Sequence, residues 1–271
     1  MENEKEKISV IMGIYNCSET LSAAIESIIN QTYTNWELIM CDDASTDNTY
    51  QVAEEYVKRF PNKMKLIRNK TNKGLNETLN VCLSFATGNF IARMDGDDVC
   101  SPTRFERQLD VFLNEPNISI VSTDMEYFDI NGVWGSIAHP TYPSKKDFIY
   151  GTPFCHAPCM VKKYAYDTVN GYTVSKRLLR VEDYHLWIKM YEKGFVGKNL
   201  HENLYQMRDD QSAISRRKFK YRINESYVRI LAVKKFNLPK IYYLVSLRPI
   251  VVGLLPVQVY ALLHKIKLRK L

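Results

Sequence analysis

Trp36-Glu37-Leu38-Ile39-Met40-Cys41-Asp42-Asp43 and Phe90-Ile91-Ala92-Arg93-Met94-Asp95-Gly96-Asp97-Asp98 decide how this chain folds. Each is a short, mainly apolar run that ends in acids. A run of that length between turn signals reads as a buried strand. Open α/β sheets bind their ligands outside the carboxyl ends of the strands, and these acids lie there. Carboxylates so close repel one another unless a cation or a set of donors stands among them. A divalent metal holding a phosphate-bearing ligand meets that need, because hard cations take oxygen ligands and bridge to phosphates.

The surrounding chain alternates in the same way. Residues 8–14 form an apolar strand candidate. Helical spacing over 19–30 puts Leu21, Ala24, Ile25 and Ile28 on one face. Ser45-Thr46-Asp47 offers N-caps for a helix that Phe60-Pro61 ends. A strand over 64–68, a helix over 74–86 and a helix opened by Ser101-Pro102 and running to about Asn114 follow. Beyond that the pattern loosens: a strand over 118–128, a hairpin turn at Asn131-Gly132, a loop over 150–158, a helix over 182–193 and a basic amphipathic helix over 215–236. The expected class is α/β. A mostly parallel, mixed sheet flanked by helices occupies 1–215, and a basic, apolar helical extension occupies 216–271.

With 45% hydrophobic and 25% charged residues, the 271-residue chain is an ordinary globular protein and not a disordered one. Its net charge of +7 is unevenly spread. Arg216, Arg217, Lys218, Lys220 and Arg222 form one basic cluster, and Lys265, Lys267, Arg269 and Lys270 another. Between them, 249–263 holds no charged residue but includes Pro249, Gly253 and Pro256. That stretch is shorter than the ~20 residues that span a bilayer. An apolar segment with cationic flanks suits an anionic membrane interface; packing on the core is the bland alternative. Nucleic-acid binding by the basic helix is not expected, since such a face usually meets solvent, membrane or phosphate. The charged N-terminus shows no secretion signal. Six scattered cysteines fit reduced, buried thiols, and Cys155-His156-Ala157-Pro158-Cys159 lacks zinc-site spacing.

Several motifs narrow the chemistry. Val99 and Cys100 stand where a calcium loop needs an oxygen ligand and a glycine, so the acidic cluster is no EF-hand. Asp98 is a candidate cap for the helix behind Pro102. Asp42 and Asp43 read either as part of a turn and cap or as acceptors from a base or ribose hydroxyl. No Gly-rich phosphate loop is present, so phosphate neutralisation falls to metal and basic side chains. Glu182-Asp183 opens a helix, where acids complement the dipole. Beside a metal and phosphate the same pair supplies a candidate general base.

In order along the chain stand 9-SVIMGIYN-16, 27-SIINQTY-33, 41-CDDASTD-47 and 92-ARMDGDD-98. This series closely resembles the family 2 glycosyltransferases, over roughly 8–215. The resemblance implies a GT-A nucleotide-sugar-binding fold and inversion at the anomeric carbon. It implies that Tyr15 and Asp43 contact the uracil of a UDP-sugar, with Asp42 nearby. Asp95 would reach ribose or sugar, and Asp97, with Asp95, would hold Mn2+ or Mg2+ on the diphosphate. Asp183, with Glu182, would be the base, and His156 would line the acceptor side or serve as a hydrogen-bonded structural residue. Gly13 and Leu79 depart from the family pattern, which often carries proline or threonine and arginine there. Tyr205-Gln206-Met207-Arg208 lacks the family's late histidine, leaving Arg208 as a phosphate contact and a third protein metal ligand in doubt.

The expectation is a metal-dependent glycosyltransferase of surface polysaccharide biosynthesis, cytoplasmic and peripheral on the inner face of the cell membrane. Its acceptor would be a saccharide, possibly in lipid-linked form. The rivals are a nucleotidyltransferase, which would release pyrophosphate, and a GT-A-like scaffold without catalysis.

Overall fold

Four of the apolar runs become the parallel half of one sheet. β1 (Ile8–Ile14), β2 (Trp36–Asp42), β3 (Met64–Arg68) and β4 (Phe90–Arg93) stand in the order β3-β2-β1-β4. The structure is a computed structural model and describes residues 6–209 and 219–254. Helices α1 (Leu21–Ile29), α2 (Thr49–Arg59) and α3 (Leu75–Phe85) connect the strands. β1, β2 and β4 are buried nearly throughout, as strands covered on both faces must be. Their side chains divide with the two-residue period of a strand. Val10, Met12, Leu38 and Met40 enter one core cluster, while Ile11 and Ile39 enter the other.

The sheet then turns mixed. β8 (Met160–Lys162) runs antiparallel to β4, and β6 (Ile118–Asp129) antiparallel to β8. β9 (Val196–Arg208) lies parallel to β6. β5 (Val99–Cys100) pairs with β9, and β7 (Gly132–Ile137) folds back on β6 through a turn at Ile130-Asn131, one residue before the expected Asn131-Gly132, with Gly132 opposite Asp129 at φ 108°. Helices α4 (Arg104–Asn114), α5 (Lys163–Thr168) and α6 (Glu182–Glu192) complete the layers.

Some expectations shift. α4 begins at Arg104, beyond Pro102, and Asp98 does not cap it. The four short elements β5, β7, β8 and α5 and the long β9 carry no clear sequence period. β9 is rich in polar residues and meets β6 through several register shifts, so only its pairing identifies it. The basic helix appears as α7 (Phe219–Lys235), with 215–218 outside the described residues. Val228, Ala232, Val233 and Phe236 join the same core cluster as Trp187 and Phe154. The expected boundary at 215/216 also lies outside the described residues, as do 255–263 and the basic cluster after them. α8 (Tyr242–Ser246) and α9 (Arg248–Gly253) follow α7. Among the described residues no helix is long and apolar enough to cross a membrane. All six cysteines are free thiols, and five are buried.

Candidate active site

The acidic loop leaves the carboxyl end of β4 and closes against the end of β1. Gly96 permits this approach: a Cβ there would stand 2.9 Å from Cys17 Sγ and 3.2 Å from Ile14. Arg93, only 7% exposed, grips Asp95 with a two-point fork, Nε to Oδ1 and Nη2 to Oδ2, both at 3.0 Å. Such forks combine charge with fixed geometry. Arg104 Nη2 donates to Arg93 O at 2.8 Å and so fixes the strand end. Asp98 is buried and does a different job from the expected cap. It accepts from Tyr205 Oη and from Arg208 N, both at 2.8 Å, and so ties β9 to the loop.

Asp97 is the open member of the cluster. It is exposed, and among the described residues no other side chain is hydrogen-bonded to its carboxylate. Arg208 stands beside it, with Nε donating to Asp97 O at 3.2 Å and the guanidinium 4.6 Å over the Phe128 ring. Partial loss of surrounding solvent, then the Asp95 charge, push the Asp97 carboxyl up; burial, then Asp95 and Asp97, push Asp98 well up. Crowded carboxyls with raised proton affinity and one open carboxylate are a donor set that a hard divalent cation fits. Among the described residues no three His, Cys, Asp or Glu side chains converge on one point, so a ligand's oxygens would complete the ion's shell. Asp95 is the weaker of the two expected metal contacts, because Arg93 occupies both of its oxygens.

The acids at the end of β2 face inward. Asp42 is fully buried, pairs with Arg68 Nε at 3.0 Å and accepts from Ser45 N. Asp43 accepts from Asn69 Nδ2 at 2.8 Å, Lys73 N at 2.9 Å and Gly74 N at 2.8 Å. It thereby shapes the loop before α3, and Gly74 stands at φ 88°. A carboxylate has about four lone-pair sites, so one remains on Asp43. Tyr15, about half exposed, stands next to it, since Asp43 N donates to Ile14 O. Asn16 (φ 48°), Ala44 (φ 61°) and Arg180 (φ 70°) hold left-handed backbone, each within two residues of an expected site residue. Strain of this kind gathers at functional sites. Leu79 is fully buried in the core, so its departure from the family pattern replaces a cation by packing.

Glu182 and Asp183 stand at the start of α6. Asp183 Oδ1 accepts from Tyr184 N at 2.7 Å. Burial raises the carboxyls of both, and Arg93 pulls both back down. Glu182 Oε2 is buried with no hydrogen-bond partner among the described residues. Arg93 therefore lies in the field of the acidic loop and of the α6 acids together. His156 does not line an open wall. It is 8% exposed, pairs through Nε2 with Tyr172 Oη at 3.1 Å and packs its ring edge-on to Trp187. The apolar sequence around it carries it into the core.

Comparison with known proteins decides the family. The family model for glycosyl transferase family 2 matches residues 9–168. The chain belongs to glycosyl transferase family 2. It is 44% identical to the putative glycosyltransferase EpsE of Bacillus subtilis (strain 168), over 97% of this chain and 95% of that one. It is 30% identical to the Escherichia coli WfgD, a UDP-Glc:alpha-D-GlcNAc-diphosphoundecaprenol beta-1,3-glucosyltransferase, over 91% of this chain and 93% of that one. Among solved structures, S. aureus TarS 1-349 in complex with UDP-GlcNAc superposes with a TM-score of 0.69 at 19% identity, covering 91% of this chain and 72% of that one. The mannosyltransferase PcManGT from Pyrobaculum calidifontis, in complex with GDP-Man and Mn2+, gives 0.62 at 18% identity, covering 97% and 79%. The expected GT-A fold is therefore present in this family 2 enzyme. Its sequence concealed Arg93 and Tyr205, which tie the acidic loop together from β4 and β9, and Tyr172, which holds His156 from the loop after α5. A cation inside an apolar strand was the available signal, because arginine is rarely buried without a partner.

Proposed function

We propose that this family 2 enzyme transfers a sugar, with inversion, from a UDP-sugar to a saccharide acceptor in surface polysaccharide synthesis. The observation that carries the reading is an open carboxylate, Asp97, and the half-buried acids that open α6, with the forked Arg93 as the cation acting on all three. Asp183 takes the proton of the acceptor hydroxyl. Its raised proton affinity brings it closer to neutral pH, where a general base is more effective. Glu182 orients the hydroxyl through its unpartnered oxygen. The hydroxyl oxygen bonds to the anomeric carbon while the bond to the diphosphate oxygen breaks, and UDP leaves from the opposite face. An α-linked donor then yields a β-linkage. Tyr15 and Asp43 hold the uracil, with Asp42 fixing the loop beneath. Asp95 reaches the ribose or sugar, and Arg208 a phosphate. Mn2+ or Mg2+, held by Asp97 with Asp95 behind it, would offset charge on the departing diphosphate.

Relatives named for UDP-glucose and for a diphosphoundecaprenol acceptor support a UDP-sugar and a lipid-linked acceptor here. A peripheral position on the cytoplasmic face of the membrane belongs to the same reading. The test is UDP release from a panel of UDP-sugars with Mn2+. One donor should be hydrolysed, with loss of at least ~100-fold on EDTA or in Asp97→Ala. Release of pyrophosphate in place of UDP would favour a nucleotidyltransferase. Absence of UDP binding by calorimetry in the presence of Mn2+ would sink the reading and leave a scaffold.

A further inference from the structure

α8 and α9 are apolar on both faces. Inward, Ser246 and Pro249 are buried, and Tyr242 and Val245 pack against the core. Outward, Ile241, Leu244, Leu247, Val251 and Leu254 are 41–73% exposed. Their spacing of three, three, four and three residues is that of one helical stripe. A second stripe, Phe219, Ile223 and Tyr227, recurs every four residues on α7 and is 40–49% exposed. The two stripes meet, since a Cβ on Gly253 would stand 3.0 Å from the Phe219 ring. Contiguous apolar surface of this kind marks a protein or membrane contact.

Charge selects the partner. Of the chain's 37 Lys/Arg and 30 Asp/Glu, 14 cations and one acid, Glu225, fall in residues 216–271. That leaves 23 cations against 29 acids before them, so an extension of net +13 is joined to a body of net −6. Among the described residues Lys220, Lys240 and Arg248 stand exposed next to stripe residues, so a second copy of the chain would bring like charge to this face. Nucleic acid satisfies the cations but leaves aliphatic stripes uncovered. An anionic bilayer covers both, with acyl chains for the stripe and headgroups for Lys240 and Arg248 beside it.

We propose that the α8–α9 stripe, continued by that of α7, docks this enzyme on an anionic lipid bilayer, lying in the interface. The docked face adjoins the segment that leads into the acids of α6. Asn224 of α7 donates to Leu179 O, three residues before Glu182, and the Arg177 guanidinium lies 5.9 Å from the Tyr227 ring. A lipid-linked acceptor would thus present its sugar to Asp183 from the headgroup layer. Only that orientation rests on the function proposed above; the docking itself is read from the surface.

The test is sedimentation of the full chain with vesicles of phosphatidylglycerol and phosphatidylcholine, against phosphatidylcholine alone. Binding should weaken about tenfold or more without the anionic lipid, and again in ~0.5 M salt. Leu244→Glu with Val251→Glu should weaken binding to anionic vesicles by at least about tenfold. Both positions are exposed, so the melting curve and UDP release in solution should stay within about twofold of the parent. Three results would overturn the proposal. The full chain could ignore anionic vesicles. The double variant could bind as the parent does, placing the affinity elsewhere in the extension. The parent could form a dimer, lost in the double variant, with no vesicle binding. Normal docking with no UDP-sugar turned over would instead defeat the proposed function and leave the docking in place.

Discussion

Arg93 concentrates the chemistry of the site in one side chain. It neutralises Asp95 directly and draws down the proton affinity of Glu182 and Asp183. Arg93→Met should cost about 3–5 kcal/mol in urea unfolding, because it strands a carboxylate against a buried apolar strand. Arg93→Lys keeps the charge but cannot form the fork, so it should recover stability more fully than turnover. Asp183 sets the pH profile. Its carboxyl lies above the usual aspartate value of about 3.9, so the acid limb of kcat/KM should fall at a pH above that value. Asp183→Asn should abolish the limb and lower kcat by at least ~100-fold. Ala44 holds φ 61° beside Asp43. Ala44→Gly should raise stability by about 0.5–1 kcal/mol, with UDP affinity unchanged. The acids at 42–43 and 95–98 were legible because polar residues at the ends of apolar runs stand out. The fork was not, because nothing in sequence says which acid a buried arginine will meet.

At the scale of elements, α6 joins function to stability. Its first turn supplies Glu182 and Asp183, and two residues beyond them His185 is partly buried with Nδ1 unpartnered among the described residues. Burial, then Lys189 and Lys235, lower the His185 pKa from 6.5 to about 4. The unfolded chain takes up that proton first. Stability from the neutral ring is therefore complete above about pH 6.5 and is lost as pH falls toward 4. Relative to His185→Leu, the parent should lose about 2 kcal/mol between pH 7.5 and 4.5, read by urea melts at each pH. The helices α1 to α4 and the four parallel strands were foreseeable from period and breakers. β9 was not. Its residues alternate poorly, and its place is fixed by pairing with β6 and β5 and by the Tyr205 and Arg208 bonds to Asp98.

Across the whole molecule, Arg229 fastens the C-terminal extension to the loop that carries His156. It donates to Ile149 O and Tyr150 O, both at 3.0 Å, and to Glu225 Oε1 at 2.7 Å. Arg229→Met should cost about 3 kcal/mol. Fluorescence and circular dichroism should still report one coincident urea transition, since α7 shares its core with the sheet; separated transitions would mean that the extension folds alone. The sequence by itself determined the α/β class, the first four strands, the acids at the ends of two of them and the uneven charge. Those follow from local period, strand-end chemistry and composition, which need no knowledge of distant contacts. Only the tertiary structure decided that Asp97 is open while Asp43 keeps a single lone-pair site and Asp95 and Asp98 are held by partners, that His156 is core, and that two apolar stripes meet. Each depends on residues far apart in the chain arriving at one place, and hydrogen-bond partners and burial are settled only by that arrival.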